Sequence, residues 1–318
     1  MTTYKEINGT NIEAVASDPS NPVEGQVWYN TTTNTVKGNF INPGSWATGG
    51  SMNTSRMNLG SAGTQTAALA FGGKTPITVA TEAYNGTSWT EVGDLGTARW
   101  GLAGAGTQTA ALAFGGNPYA AGYTETWNGT NWTEVNDLNT ARNNLAGAGT
   151  NTAALAFGGQ PAAKNETETW NGTNWTEVNN LNTGRTYLAG CGTNTAALAF
   201  GGNSPPTTAA TETWNGTNWT EVNDLNNARR SLGAAGTNTA ALAFGGYASA
   251  QTELWNGTNW TEVNDLGTSR VSLGGAGIST AALAFGGEPN DVSPAPPAGT
   301  TATEEWNVGP TTVTFDVS

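Results

Sequence analysis

Hydrophobic and polar residues alternate along this chain in short strand-length runs, and the runs recur. The string Ala-Leu-Ala-Phe-Gly-Gly occurs six times, with its Phe at 71, 114, 157, 200, 244 and 285. Fifteen residues before each Phe stands an arginine: Arg56, Arg99, Arg142, Arg185, Arg229 and Arg270. That offset never changes, so the block from Arg to Gly-Gly carries no insertions and is structurally rigid. After Gly-Gly comes a stretch of uneven length. The pattern then resumes as Thr-Glu-Thr-Trp-Asn-Gly-Thr-Asn-Trp-Thr-Glu-Val or a close variant. Its first aromatic is Tyr84, Trp127, Trp170, Trp214, Trp255 or Trp306, and its second is Trp89, Trp132, Trp175, Trp219 or Trp260.

Each unit predicts four strands. Strand a is the small-residue Leu-Ala-Gly-Ala-Gly segment, suited to a crowded inner position. Strand b is Thr-Ala-Ala-Leu-Ala-Phe. Strands c and d flank Asn-Gly, the strongest short hairpin signal, because both residues tolerate positive φ. One such sheet cannot bury both of its faces, whereas six arranged radially can. No segment shows a 3.6-residue period, and Gly, Thr and Asn are poor helix formers, which excludes a helical solenoid.

An apolar run ending in Gly-Gly, two spaced aromatics, and an Arg before the next run resemble the Kelch repeat over residues 41–308. The resemblance implies an all-β fold, a six-bladed Kelch-type β-propeller with four antiparallel strands per blade. One departure is a spacing of only five residues between the two aromatics. Five d-type Trp follow residue 56, but Trp46 also lies ten residues before an Arg. The strand around Trp46 is therefore expected to complete the last blade, with the 311–318 tail as the alternative. Residues 41–318 are read as the propeller and residues 1–40 as an extension.

Within that extension, Gln26–Tyr29 and Asn34–Lys37 predict a hairpin. Gly25-Gln-Val-Trp-Tyr-Asn-Thr-Thr-Thr-Asn-Thr-Val-Lys37 resembles a hairpin segment of bacteriophage tail-fibre and other virion proteins, and with the repeats the whole chain resembles a marine-phage structural protein. That resemblance implies a virion location, docking to other virion proteins through residues 1–40, and several copies in an assembly.

Composition narrows the chemistry. The formal net charge is −13, from 11 Lys+Arg against 24 Asp+Glu. Phosphate-backbone binding needs clustered positive charge, so nucleic acid is not an expected partner. Histidine is absent and there is one cysteine, Cys191. The usual general base, the usual transition-metal ligand and an intrachain disulfide are thus excluded. No cofactor or metal is expected. No secretory signal is visible at the N-terminus, and no apolar run has membrane-spanning length.

Six arginines could form an anion-binding ring; the alternative is that each pairs with a repeated acid. Asp94, Asp137, Asp224 and Asp265, with Asn180, read as turn formers rather than calcium ligands. Glu82, Glu125, Glu168, Glu212, Glu253 and Glu304 could supply a glycosidase acid–base pair, but near-identical copies point to structure, since the two roles need different environments. Cys191 replaces Ala or Gly in strand a and reads as a small buried filler. Asn-Gly-Thr and Asn-Trp-Thr match glycosylation sequons and read as turns.

Antiparallel alternation puts the b–c and d–a loops on one face of the disc. The b–c loops vary most between copies, and variable loops on a rigid scaffold are the usual place for recognition. Tyr119, Tyr123, Lys164, Tyr247, Asn290 and Asp291 are the candidate contacts, for a host-surface glycan or protein. A non-enzymatic virion component is the leading expectation. A cellular Kelch-type adaptor and a carbohydrate-binding or carbohydrate-active protein are the alternatives.

Overall fold

A computed structural model describes residues 12–20, 25–41, 44–118, 121–289 and 299–315. The chain forms two compact units, residues 45–307 and residues 1–44 with 308–318.

The larger unit is a six-bladed β-propeller, the fold that the Kelch resemblance implied. Six four-stranded antiparallel sheets each run a-b-c-d. Their inner strands meet in a closed cycle, Gly60–Gly63 against Ala103–Thr107, then Ala146–Gly149, Ala189–Gly192, Gly233–Gly236, Gly274–Ile278 and back to the first. Blades 1 to 5 are continuous in sequence. Blade 6 takes its outer strand from the other end of the chain: Ser45–Thr48 pairs antiparallel with Thr303–Asn307, Trp46 opposite Trp306. The strand around Trp46 thus closes the ring, as its spacing predicted.

The alternation of strand b explains the repeated Ala-Leu-Ala-Phe. In blade 2, Leu112 and Phe114 pack toward blade 3, against Ala154, Ala156, Trp170 and Trp175. On the opposite face, Ala111 and Ala113 pack toward blade 1, against Leu69 and Phe71. Large side chains of one blade therefore sit over small ones of the next, the arrangement a period of two permits. All four are fully buried, and burying one Leu or Phe contributes about 2–3 kcal/mol. Strand a must be small for a related reason. A Cβ on Gly104 would lie 2.3 Å from the Ser61 carbonyl oxygen and 2.6 Å from the Phe71 ring.

The outer Trp ties each blade to the one before it. Trp175 Nε1 donates to Thr124 Oγ1 at 3.0 Å, and Phe114 packs on Trp175 with ring centroids 5.0 Å apart. The same indole-to-threonine bond joins Trp132 to Thr81, Trp219 to Thr167, Trp260 to Thr211, Trp46 to Thr252 and Trp89 to Thr303. All six interfaces are alike, including the closing one.

The c–d connection differs from the expected tight turn. Four residues, Asn-Gly-Thr-Asn, separate the paired Trp127 and Trp132. Only the glycine has positive φ, 93° at Gly129. Asn128 acts through its side chain, whose Oδ1 accepts the Thr130 and Asn131 amides at 2.9 Å. Asparagine is required as a side-chain acceptor here, not as a left-handed residue.

The smaller unit is a four-stranded sheet. Val27–Asn30 pairs antiparallel with Thr35–Ile41, which is the expected hairpin displaced by a residue. Glu13–Val15 lies parallel to the first of these strands. Pro310–Phe315 lies antiparallel to the second. The tail therefore leaves the propeller at Asn307, short of the expected boundary at 318, because its strand partner is Thr35–Ile41 and the last blade is already complete. Trp28, Asn30 and Lys37 of the hairpin converge on Asp18, with contacts of 3.0, 2.7 and 2.6 Å. Three positions of the hairpin motif are thus held by one carboxylate.

Candidate functional site

The b–c and d–a loops share one face, and the repeated arginines anchor it. Arg142 Nη2 lies 3.1 Å from Glu168 Oε1, and Nη1 donates to the Glu166 carbonyl at 2.6 Å. Each of the six arginines pairs with the strand-c glutamate of its own blade: Glu82, Glu125, Glu168, Glu212, Glu253 and Glu304. The arginines are at most 3 % exposed. An anion-binding ring is ruled out, since the guanidinium groups are buried and already paired. Burial pulls each arginine below its usual value, and the facing glutamate counteracts it. Every Nε–H is also buried without an acceptor. Such pairs cost desolvation, so their contribution is geometric definition more than net stability.

That definition falls on the base of the b–c loops. Arg229 Nη1 donates to the carbonyls of Gly245 and Gln251 at 3.0 and 2.6 Å. Arg270 Nη1 does the same to Gly286 and Ala302 at 3.1 and 2.9 Å. The first pair of anchors encloses residues 246–250 and the second residues 287–301. One arginine geometry thus clamps b–c loops of very different length, which frees the sequence between the anchors.

The other repeated acids are scaffold too. The second carboxylate oxygen of Glu168 accepts the Asn139 amide and side chain at 2.8 and 3.0 Å. Asp94, Asp137, Asp224 and Asp265 each accept the amide that starts strand c of their own blade, at 3.0 Å. Asn180 does the same at 3.1 Å, because the role needs an acceptor and no charge. Cys191 is buried in strand a, and burial pushes its thiol up to about 12. Among the described residues no cluster of acids and cysteine could hold a metal ion.

At the axis, the second residue after each arginine builds a feature the repeat pattern hides. Asn58, Gly101, Asn144, Tyr187, Ser231 and Ser272 all have left-handed backbone, with φ between 50° and 66°. Each amide donates to the carbonyl of its counterpart in the preceding blade. Six bonds of 2.7–2.9 Å form a closed ring, the Asn58 amide completing it on Ser272. Below it, six leucines, from Leu59 to Leu273, separate a polar vestibule of about 90 Å³ from a Gly/Ala-lined tunnel of about 210 Å³.

Around the vestibule lie the variable loops. Tyr247 is 61 % exposed, with the Arg230 guanidinium 4.5 Å above its ring. Lys74 sits 4.6 Å over Trp100. Tyr123 is exposed, and Lys164 pairs with Glu166 at 3.0 Å. Tyr119, Asn290 and Asp291 lie outside the described residues. Of the expected contacts, the structure thus gives Tyr123 and Tyr247 exposed rings and engages Lys164 within its own loop. Sequence reasoning missed Trp100, Arg230 and the axial ring. The signal was present: within the rigid Arg-to-Phe block, the two positions after the arginine read Met-Asn, Trp-Gly, Asn-Asn, Thr-Tyr, Arg-Ser and Val-Ser. Near-identical copies that diverge at two adjacent positions mark a surface under a different constraint from the core.

No protein-family model and no curated protein matches the chain. Among solved structures, that of YjhT is similar with a TM-score of 0.64 at 14% identity, covering 79% of this chain and 95% of that one. At that identity the likeness concerns the fold, and it agrees with the blade-by-blade pairing: the chain carries a six-bladed β-propeller.

Proposed function

We propose that this protein is a non-enzymatic structural component of a phage virion, in a tail fibre, tail tip or head decoration, that presents the b–c face of its propeller to a host-surface or virion partner. The observation that carries the reading is the division of labour between repeated and unrepeated residues. The repeated arginines are buried in ion pairs with the strand-c glutamates and the turn acids cap strand c, so all of them serve the scaffold, while the arginine clamps leave the b–c loops free to diverge. That is the design of a recognition platform. The virion assignment rests on the hairpin motif around Trp28, whose Asp18-centred packing supports its being a built docking element. Residues 1–40 are the proposed attachment to other virion proteins, which would place several copies on a particle.

The test is exchange of b–c loop residues 75–79 and 247–250 for Gly/Ser segments of equal length, with particles then assayed for assembly and host adsorption. Loss of either function with the propeller still folded is the expected result. Particles that assemble and adsorb normally, or purified particles that lack this chain by mass spectrometry, would refute the reading.

A further inference from the structure

We infer that the axial vestibule on the b–c face is a binding site for the end of a neutral saccharide, read by the side chains of Asn58, Tyr187, Ser231 and Ser272. The inference rests on the reading of that face as the recognition face and gives it a ligand class.

The first argument is conformational. All six vestibule positions have left-handed backbone, the region in which glycine is least costly. Copy two has glycine there, Gly101, and its φ of 66° and its place in the ring match the rest. Glycine therefore satisfies every structural demand of the position. Asparagine tolerates it, but Tyr187, Ser231 and Ser272 keep side chains against the backbone preference. Side chains held in such a conformation around a cavity suggest a function other than folding.

The second argument is chemical. No carboxylate, lysine or arginine lines the vestibule. An ion entering it would lose water without a counter-charge, which disfavours charged ligands. The backbone amides and carbonyls that could cradle an anion are consumed by the closed ring. Asn144 is buried, with its Nδ2 donating to Asn143 Oδ1 at 2.6 Å, so what remains is the Asn58 amide and three hydroxyls, groups that both donate and accept. A sugar hydroxyl has the same dual character, and the Tyr187 ring offers an apolar surface to the sugar's C–H groups. Gly101 contributes no side chain, and the Asn144 carboxamide lies over it, with Oδ1 2.7 Å from where a Cβ would stand. Its volume of about 90 Å³ admits one edge of a terminal sugar ring rather than a length of peptide.

The experiment uses the full chain and a panel of methyl glycosides of glucose, galactose, mannose and N-acetylglucosamine, with sialylated and sulfated oligosaccharides as charged counterparts, read by calorimetry or ligand-observed NMR. At least one neutral glycoside is expected to bind. The Tyr187→Gly/Ser231→Gly/Ser272→Gly variant is expected to bind it at least tenfold more weakly, with its thermal midpoint unchanged or raised, because glycine suits the left-handed backbone. A purely structural role would instead lower the midpoint. The inference is overturned if no neutral glycoside binds, if only charged glycans bind, or if the triple variant binds as well as the parent. A b–c loop exchange that abolishes adsorption, set beside a triple variant that adsorbs normally, would remove the saccharide reading and leave the recognition face standing.

Discussion

Arginine142 and Glu168 illustrate what one residue does in this fold. Both are fully buried and 3.1 Å apart. Arg142→Met would leave the Glu168 carboxylate in the interior without its partner, and breaking a buried pair from one side costs about 3–5 kcal/mol. Arg142→Met with Glu168→Met removes both charges and should recover most of that loss. Urea unfolding of the two single variants and the double variant checks this as a double-mutant cycle; near-additive losses would contradict it. The six arginines were legible in the sequence because their spacing is invariant, and so was their pairing with repeated acids. Which acid each meets was not legible. Glutamate and tryptophan of strand c share a face by the two-residue period, but only the assembled blade places the d–a entry beside that glutamate.

Among the elements, the strand Ser45–Thr48 decides whether the ring closes. Trp46 packs on Phe244 with centroids 5.0 Å apart, and its indole bonds Thr252 across the blade 5–blade 6 interface. Trp46→Ala should lower stability by about 3 kcal/mol, at the lower end of aromatic truncations because the ring is partly exposed. Chemical denaturation measures it, and a change below about 1 kcal/mol would argue that blade 6 stands without its outer strand. In the hairpin unit, the contacts from Lys37, Asn30 and Trp28 hold the Asp18 carboxyl at about 2, below the ordinary 3.8. A depressed carboxylate favours the folded form above its unfolded value. Its contribution is therefore present above about pH 4 and fades as pH falls toward 2. An NMR titration of Asp18 should give a midpoint well below that of Asp18 in a Lys37→Met variant. The closing strand was legible because Trp46 keeps the ten-residue offset to the next arginine. The fate of the 310–315 strand was not, since two partners were open to an alternating segment and only the completed blade excludes one.

For the whole molecule, the fold separates a constant scaffold from a variable face. Arg229 and Arg270 keep the same two carbonyl contacts on a five-residue segment and a fifteen-residue segment. Changing what lies between the anchors should thus leave the ring intact. The b–c loop exchange described above removes Val79 from the blade 1–blade 2 core, so it should lower the stability of the propeller by about 1 kcal/mol while unfolding stays cooperative. A cooperative loss of the whole ring would show that the loops are structural. Lengthening a clamped loop also costs little entropy, since closure depends only weakly on length.

The sequence by itself determined the number of blades, the four strands of each, the closing strand and the face on which variation collects. Those features are periodic, and period is what a sequence displays directly. The tertiary structure alone decided which acid meets which arginine, that the tail joins the hairpin, and that six unremarkable positions form a closed ring around the axis. Each of these depends on contacts between residues more than twenty positions apart, or on a backbone conformation that residues as different as Tyr187 and Ser231 share. No local pattern encodes either.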